Sequence, residues 1–407
     1  MNKKTLTIVV LIALLIIGGS VWFVFFNNSS TPTTPTKTNT GLPFGQGGAN
    51  MPLGNSSTSA GTGASGIGAD GKPSANLFRI SNTPVAGMVS FNKKSVGEVV
   101  RFVDRSTGHI YDVNPLTLEK IQITNNTFPK IQEADFKNDG SSVLLRYLVN
   151  NTDTVQNLSA SLTAPKSTST GELYTVTSVL LAGNIDGVSV GPTNSLAVVL
   201  KDAGSVIISG FDGSKTSNLF ISGFSDWNIS WPTTSLIEIT TKASASIPGY
   251  AYDLNSTSGS MTKILGPLNA LTSIQSTDGK RVAYSYNLNG KSVFAYKNLS
   301  DGSGDIILPS TFADKCVWSQ KSVSSIYCGT PSSIRQNEPD NWYQGITHFS
   351  DQIWKFDTVT LISLLVADPK KDFNTSVDMI NPTLSPNEDY LFFINKNDLS
   401  LWALKLQ

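Results

Sequence analysis

NPTLSPNEDYLFFINKNDLSLWALKL, residues 381–406, is the stretch whose reading decides the fold. It predicts three short strands at 382–384, 390–395 and 399–406, set apart by tight turns rich in Ser, Pro, Asn and Asp. Nearly the same pattern recurs upstream. Phe91, Phe136, Val190, Ser230, Gln275, Trp318 and Leu384 each end a first strand. A turn follows each of them (NKKSVGE, KNDGSS, GPTNS, WPTTS, STDGK, SQKSVS, SPNED), and then a β-rich run (VVRFV, VLLRY, LAVVL, LIEIT, RVAYSY, SIYC, YLFFI).

A third strand follows, often aromatic, such as YAYDL from Tyr250 or QIWKFD from Gln352. A fourth leads into the next unit, such as LEKIQI from Leu118 or LISLLV from Leu361. The second unit is the hardest to parse, with its outer strands placed near 154–162 and 173–181. The anchors lie 40 to 66 residues apart. Four strands at a period near 45 residues mark a β-propeller blade. The expected fold is all-β, a seven-bladed β-propeller over 76–407, with six or eight blades the alternatives. A four-stranded sheet has two faces to cover, and a closed ring lets each blade cover its neighbour. The last unit shows only three strands, while NLFRIS at 76–81 reads as an orphan fourth. Residues 77–81 are therefore expected to complete the last blade and close the ring.

The turns resemble the TolB-type propeller repeat, whose core is S-P-D-G followed by an apolar strand. LSPNEDYLFFI and STDGKRVAYSY carry the resemblance best, and FKNDGSSVLLRY more loosely. It spans about 76–407 and implies a fold rather than an activity. Propeller hydrolases usually carry a separate α/β catalytic domain, and no such pattern stands here.

Ahead of the propeller, TLTIVVLIALLIIGGSVWFVFF runs from Thr5 to Phe26 without a charge. At about 1.5 Å per residue it matches a bilayer core of ~30 Å. Lys3 and Lys4 precede it and no charge follows until Lys37, so residues 1–4 are expected in the cytoplasm and the rest outside. A cleaved signal peptide is the competing reading, but the apolar run continues through Trp22 and Phe26. Residues 27–75 are Ser/Thr/Pro/Gly/Asn-rich and are expected to be a disordered linker.

Thirty Lys and Arg balance thirty Asp and Glu. A nucleic-acid partner, which would call for a basic patch or stripe, is not expected. With two His and two Cys in all, neither a metal site nor a cofactor is expected. Cys316 and Cys328 flank the turn SQKSVSS, where a hairpin would set them opposite each other. Both a disulfide and a pair of buried thiols fit that placement.

Loop length points to the site. The longest insertion, 329–350, joins the second and third strands of the sixth unit and carries Arg335, Glu338, Asp340, Trp342, Tyr343 and His348. The connection 367–378 follows on the same face with Asp368, Lys370, Lys371 and Asp372. Trp342 and Tyr343 could anchor a protein partner. They could stack on envelope sugars, or the loop could fold over the ring with Trp342 plugging its own blade. Glu338 and Asp340 form a carboxylate pair, but His348 has no orienting partner in sight, so catalysis is not expected. The expected role is a non-catalytic protein-interaction or scaffold module of the cell envelope, with polysaccharide binding as the alternative and hydrolysis a distant third.

Overall fold

The computed structural model describes residues 72–406, apart from 74, 150–153, 167–171, 182–183 and 202–203. The expected membrane span and nearly all of the expected linker lie outside these residues. Among the described residues no helix is long and apolar enough to cross a membrane.

Seven four-stranded antiparallel sheets make up the fold. Six blades follow one another as 85–122, 131–180, 185–220, 227–269, 272–307 and 316–367. In each, the strands pair in chain order. The seventh blade takes Met379–Leu384, Tyr390–Asn395 and Leu401–Lys405, and then Leu77–Arg79 from the other end of the described chain. Leu77 pairs with Leu404, Phe78 with Ala403 and Arg79 with Trp402. The ring is therefore closed by a sheet that joins both ends, as the orphan strand implied. The expected anchor residues fall on the first strand of every blade, and the second blade's outer strands are Val155–Thr163 and Thr175–Leu180.

The core is divided among the blade interfaces, with one apolar cluster at each. Tyr390–Asn395 shows why the strands read as continuous apolar runs, for all six of its residues are buried. Successive side chains point to opposite faces. Leu391 and Phe393 pack with Tyr327 and Ile353 of blade six, while Phe392 and Ile394 pack with Val100 and Phe102 of blade one. Inner strands approach closely where side chains are small. A Cβ on Gly87 would stand 1.9 Å from the carbonyl oxygen of Ala134 on the next blade. Between the inner and second strands of blade six, Cys316 faces Cys328 directly, and their sulfurs are bonded at 2.08 Å.

Candidate functional site

The insertion of blade six leaves the strand Ser325–Pro331, forms one helical turn at Asp340–Tyr343, and returns as Asp351–Asp357. It does not stand out as a display loop. Trp342 is 3 % exposed. Its ring stacks on Phe312 at 5.8 Å and packs on Phe349 at 6.3 Å. Its indole N–H donates to the Asp378 carboxylate at 3.0 Å. Trp342 is thus no surface anchor, because burial of this large ring and its one polar atom is better satisfied beneath the loop. Glu338 is also fully buried and accepts the backbone N–H of Trp342 at 2.9 Å. Neither residue is open to a ligand.

The loop lies over a buried ionic cluster. The ammonium of Lys315 meets Asp351 at 2.6 Å and Asp378 at 2.5 Å, and all three are wholly or almost wholly buried. Burial pushes the Asp351 carboxyl up to about 6 against the attraction of Lys315. Lys396 donates to the carbonyl of Trp342 and sits 4.7 Å from the centre of its ring. Two carboxylates and two ammoniums from blades six and seven thus fasten the insertion to the ring.

The other expected site residues separate. Arg335 and His348 line a cavity of about 260 Å³. Lys370, Lys371 and Asp372 sit exposed on the short helix Pro369–Phe373, which Asp368 caps by accepting the Lys371 N–H at 3.1 Å. Asp340 reaches across the face to blade four, where it accepts the N–H of Ala245 at 2.5 Å. Tyr343 is half-exposed, and its hydroxyl donates to Asp314. Asn287 of blade five donates to the Gln336 carbonyl at 3.4 Å. The insertion therefore spans from blade six over blade five to blade four.

That crossing brings Tyr343 to a cavity of about 470 Å³ between blades four and five. Asn228, Ser230, Glu238, Thr240, Thr272 and Ser273 line it, together with Lys242 and Asp314. Glu238 ties the two blades together. It accepts from the Ser273 hydroxyl at 2.6 Å, the Gln275 N–H at 2.9 Å and the Ser230 hydroxyl at 3.2 Å. Burial raises its carboxyl to about 7, although these donors favour the ionised form. Burial also raises the Asp314 carboxyl, against the Tyr343 hydrogen bond and nearby Lys315.

An apolar groove of about 690 Å³ adjoins this cavity and shares Lys242 and Ala243 with it. Its floor is aromatic. Phe224 meets Trp227 edge-on at 5.0 Å, Trp227 meets Tyr252 at 6.0 Å, and Tyr250 stacks beside Tyr252 at 6.4 Å. Phe224, Ile247 and Met261 are exposed at 43 %, 64 % and 42 %. Ser222, Asp226, Lys242 and Ser244 are among the polar residues of the lining. Sequence reasoning weighed loop length and so passed over blade four, whose loops are short. The one available signal was YAYDL, which puts Tyr250 and Tyr252 on the same face of a strand.

No protein-family model matches this chain, and no curated protein matches it in sequence. Many solved structures resemble it in fold. An oligogalacturonate lyase from Vibrio parahaemolyticus is 11% identical, with 81% of this chain and 93% of that one covered at a TM-score of 0.52. YCF48 from Cyanidioschyzon merolae is 10% identical, with 81% and 99% covered at 0.50. TolB from Acinetobacter baumannii is 12% identical, covers 64% and 59%, and at a TM-score of 0.41 adds nothing further. These likenesses carry the propeller fold alone.

Proposed function

We propose that this chain is a non-catalytic recognition module, held outside the cell membrane by the span Thr5 to Phe26, and that it takes a protein partner in the aromatic groove of blade four. The observation that supports this reading is the groove itself. An exposed apolar floor around Phe224, Ile247 and Met261, rimmed by Asp226, Lys242 and Ser244, has the make-up of a protein interface. The non-catalytic part is supported by how the carboxyls near the site are used. Glu238 and Asp314 are both engaged by fixed hydrogen bonds. His109 lies beside Gln122 and Thr127 on blade one, and His348 lines a different cavity.

The test is capture from detergent-solubilised envelope with the full-length chain and with a Phe224→Ala/Ile247→Ala variant. Both side chains are exposed, so the ring should stand. Proteins held by the wild type should be lost by the variant, and an unchanged set of captured proteins would reject the groove. For the anchor, alkaline carbonate should leave the full chain in the membrane pellet and release a chain that starts at residue 27.

A further inference from the structure

The cavity between blades four and five adjoins the groove at Lys242 and Ala243 but is a separate space built from fixed parts. Its volume of about 470 Å³ falls in the range of small-molecule sites. Ser273 and Thr240 are locked together at 2.8 Å, and Thr272 holds Ser285 at 2.7 Å and the Ala313 N–H at 2.9 Å. The polar wall is thus positioned before any ligand arrives.

We propose that this cavity binds a single ring of an uncharged sugar. Hydroxyls, which both donate and accept, dominate the polar lining. They suit a ligand whose own polar groups are hydroxyls. The exposed amide of Asn228 adds one more donor and acceptor. Apolar surface comes from Ile229, Ile274 and the Tyr343 ring. The Tyr343 hydroxyl is pinned to Asp314, so its ring is held as a wall against which the C–H face of a sugar can pack.

Charge decides against an acidic or phosphorylated ligand. The ammonium at the cavity is Lys242, and it is already paired with Asp186 at 2.8 Å and Asp226 at 3.8 Å. An anion would have to compete with both. A cation gains little, because burial holds those two carboxyls toward their neutral forms.

The experiment is calorimetric titration of the detergent-solubilised full-length chain with glucose, galactose, mannose and N-acetylglucosamine. Galacturonic acid and glucose 6-phosphate serve as charged controls. At least one neutral sugar should bind, and neither charged one should compete with it. Tyr343→Ala and Asn228→Ala should each weaken binding about tenfold, and Ser273→Trp should abolish it by filling the space. Asn228 is exposed, so that variant should keep the unfolding temperature of the wild type. Binding by no neutral sugar would overturn the proposal, as would equal binding of the charged ones or wild-type affinity in both alanine variants. Phe224→Ala/Ile247→Ala should retain sugar binding, which keeps failure of the groove distinct from failure of this cavity.

Discussion

The indole N–H of Trp342 donates to the carboxylate of Asp378 at 3.0 Å, and both residues are buried. One hydrogen bond thereby links the middle of the blade-six insertion to the residue that precedes the inner strand of blade seven. The insertion is part of the ring's core, and the face above the ring is shaped by where this bond holds it.

Trp342→Ala should therefore destabilise the protein rather than merely remove a contact surface. Loss of a buried aromatic ring of this size costs about 3–5 kcal/mol. Trp342→Phe keeps the stacking on Phe312 and loses the donor, for about 1–2 kcal/mol. Urea unfolding followed by circular dichroism would check both, and a Trp342→Ala protein as stable as the wild type would contradict the arrangement.

Lys315→Met should be at least as damaging. It leaves the Asp351 and Asp378 carboxylates facing each other without the buried cation, which costs about 3–5 kcal/mol. Adding Asp351→Asn and Asp378→Asn should recover part of the loss, since the uncompensated charge goes with them. No recovery in the triple variant would place the damage in packing instead.

Stability should fall as pH rises from about 5 to about 8. Burial raises the carboxyls of Glu238 to about 7, Asp351 to about 6 and Asp135 to about 8 in the folded chain. The unfolded chain releases these protons near the ordinary carboxylate values, while the folded chain still holds them. In that window the unfolded state binds fewer protons, so raising the pH favours it. Glu238→Gln should flatten part of the slope, by on the order of 1 to 3 kcal/mol across the window. Denaturant melts at several pH values would measure it, and an unaltered slope would mean that Glu238 ionises normally.

Phe78→Ala should unfold the whole ring more easily, although it lies in a three-residue strand. Phe78 is 2 % exposed and meets Tyr390 edge-on at 6.2 Å, so about 3–5 kcal/mol is at stake. The edge of Leu401–Lys405 opens if the closing strand leaves, and an uncovered edge promotes self-association. Light scattering alongside unfolding would detect it. A loss confined to local fraying at residues 77–79 would argue against closure through this strand.

The blades could be read in the sequence because a strand writes itself locally. Side chains alternate between faces, turns need Asn, Asp, Gly, Ser or Pro, and both signals fall within a dozen residues. LSPNEDYLFFI and STDGKRVAYSY show each of them, and six of the seven first strands end where those turns begin, while the first, Val85–Lys93, runs two residues further. Even the closing strand was legible, since NLFRIS had no local partner and the last unit lacked one.

The site was not legible in the same way. Length and aromatic content marked 329–350 as special, but gave no sign that Trp342 and Glu338 would turn inward. Nor did anything local mark Glu238, Lys242 or Phe224.

What the sequence determined by itself was the repeat and its strands, because these rest on hydrogen bonds and side-chain alternation between near neighbours; the count of seven blades and the pairing of Leu77 with Leu404 that closes the ring came from the tertiary structure. Only the tertiary structure decided the path of the insertion and the position of the cavities. Those depend on pairs such as Lys315 with Asp378, 63 residues apart, and Asp340 with Ala245, 95 apart. Which carboxyl finds which donor across such distances is fixed by how the blades stack, and no local pattern encodes it.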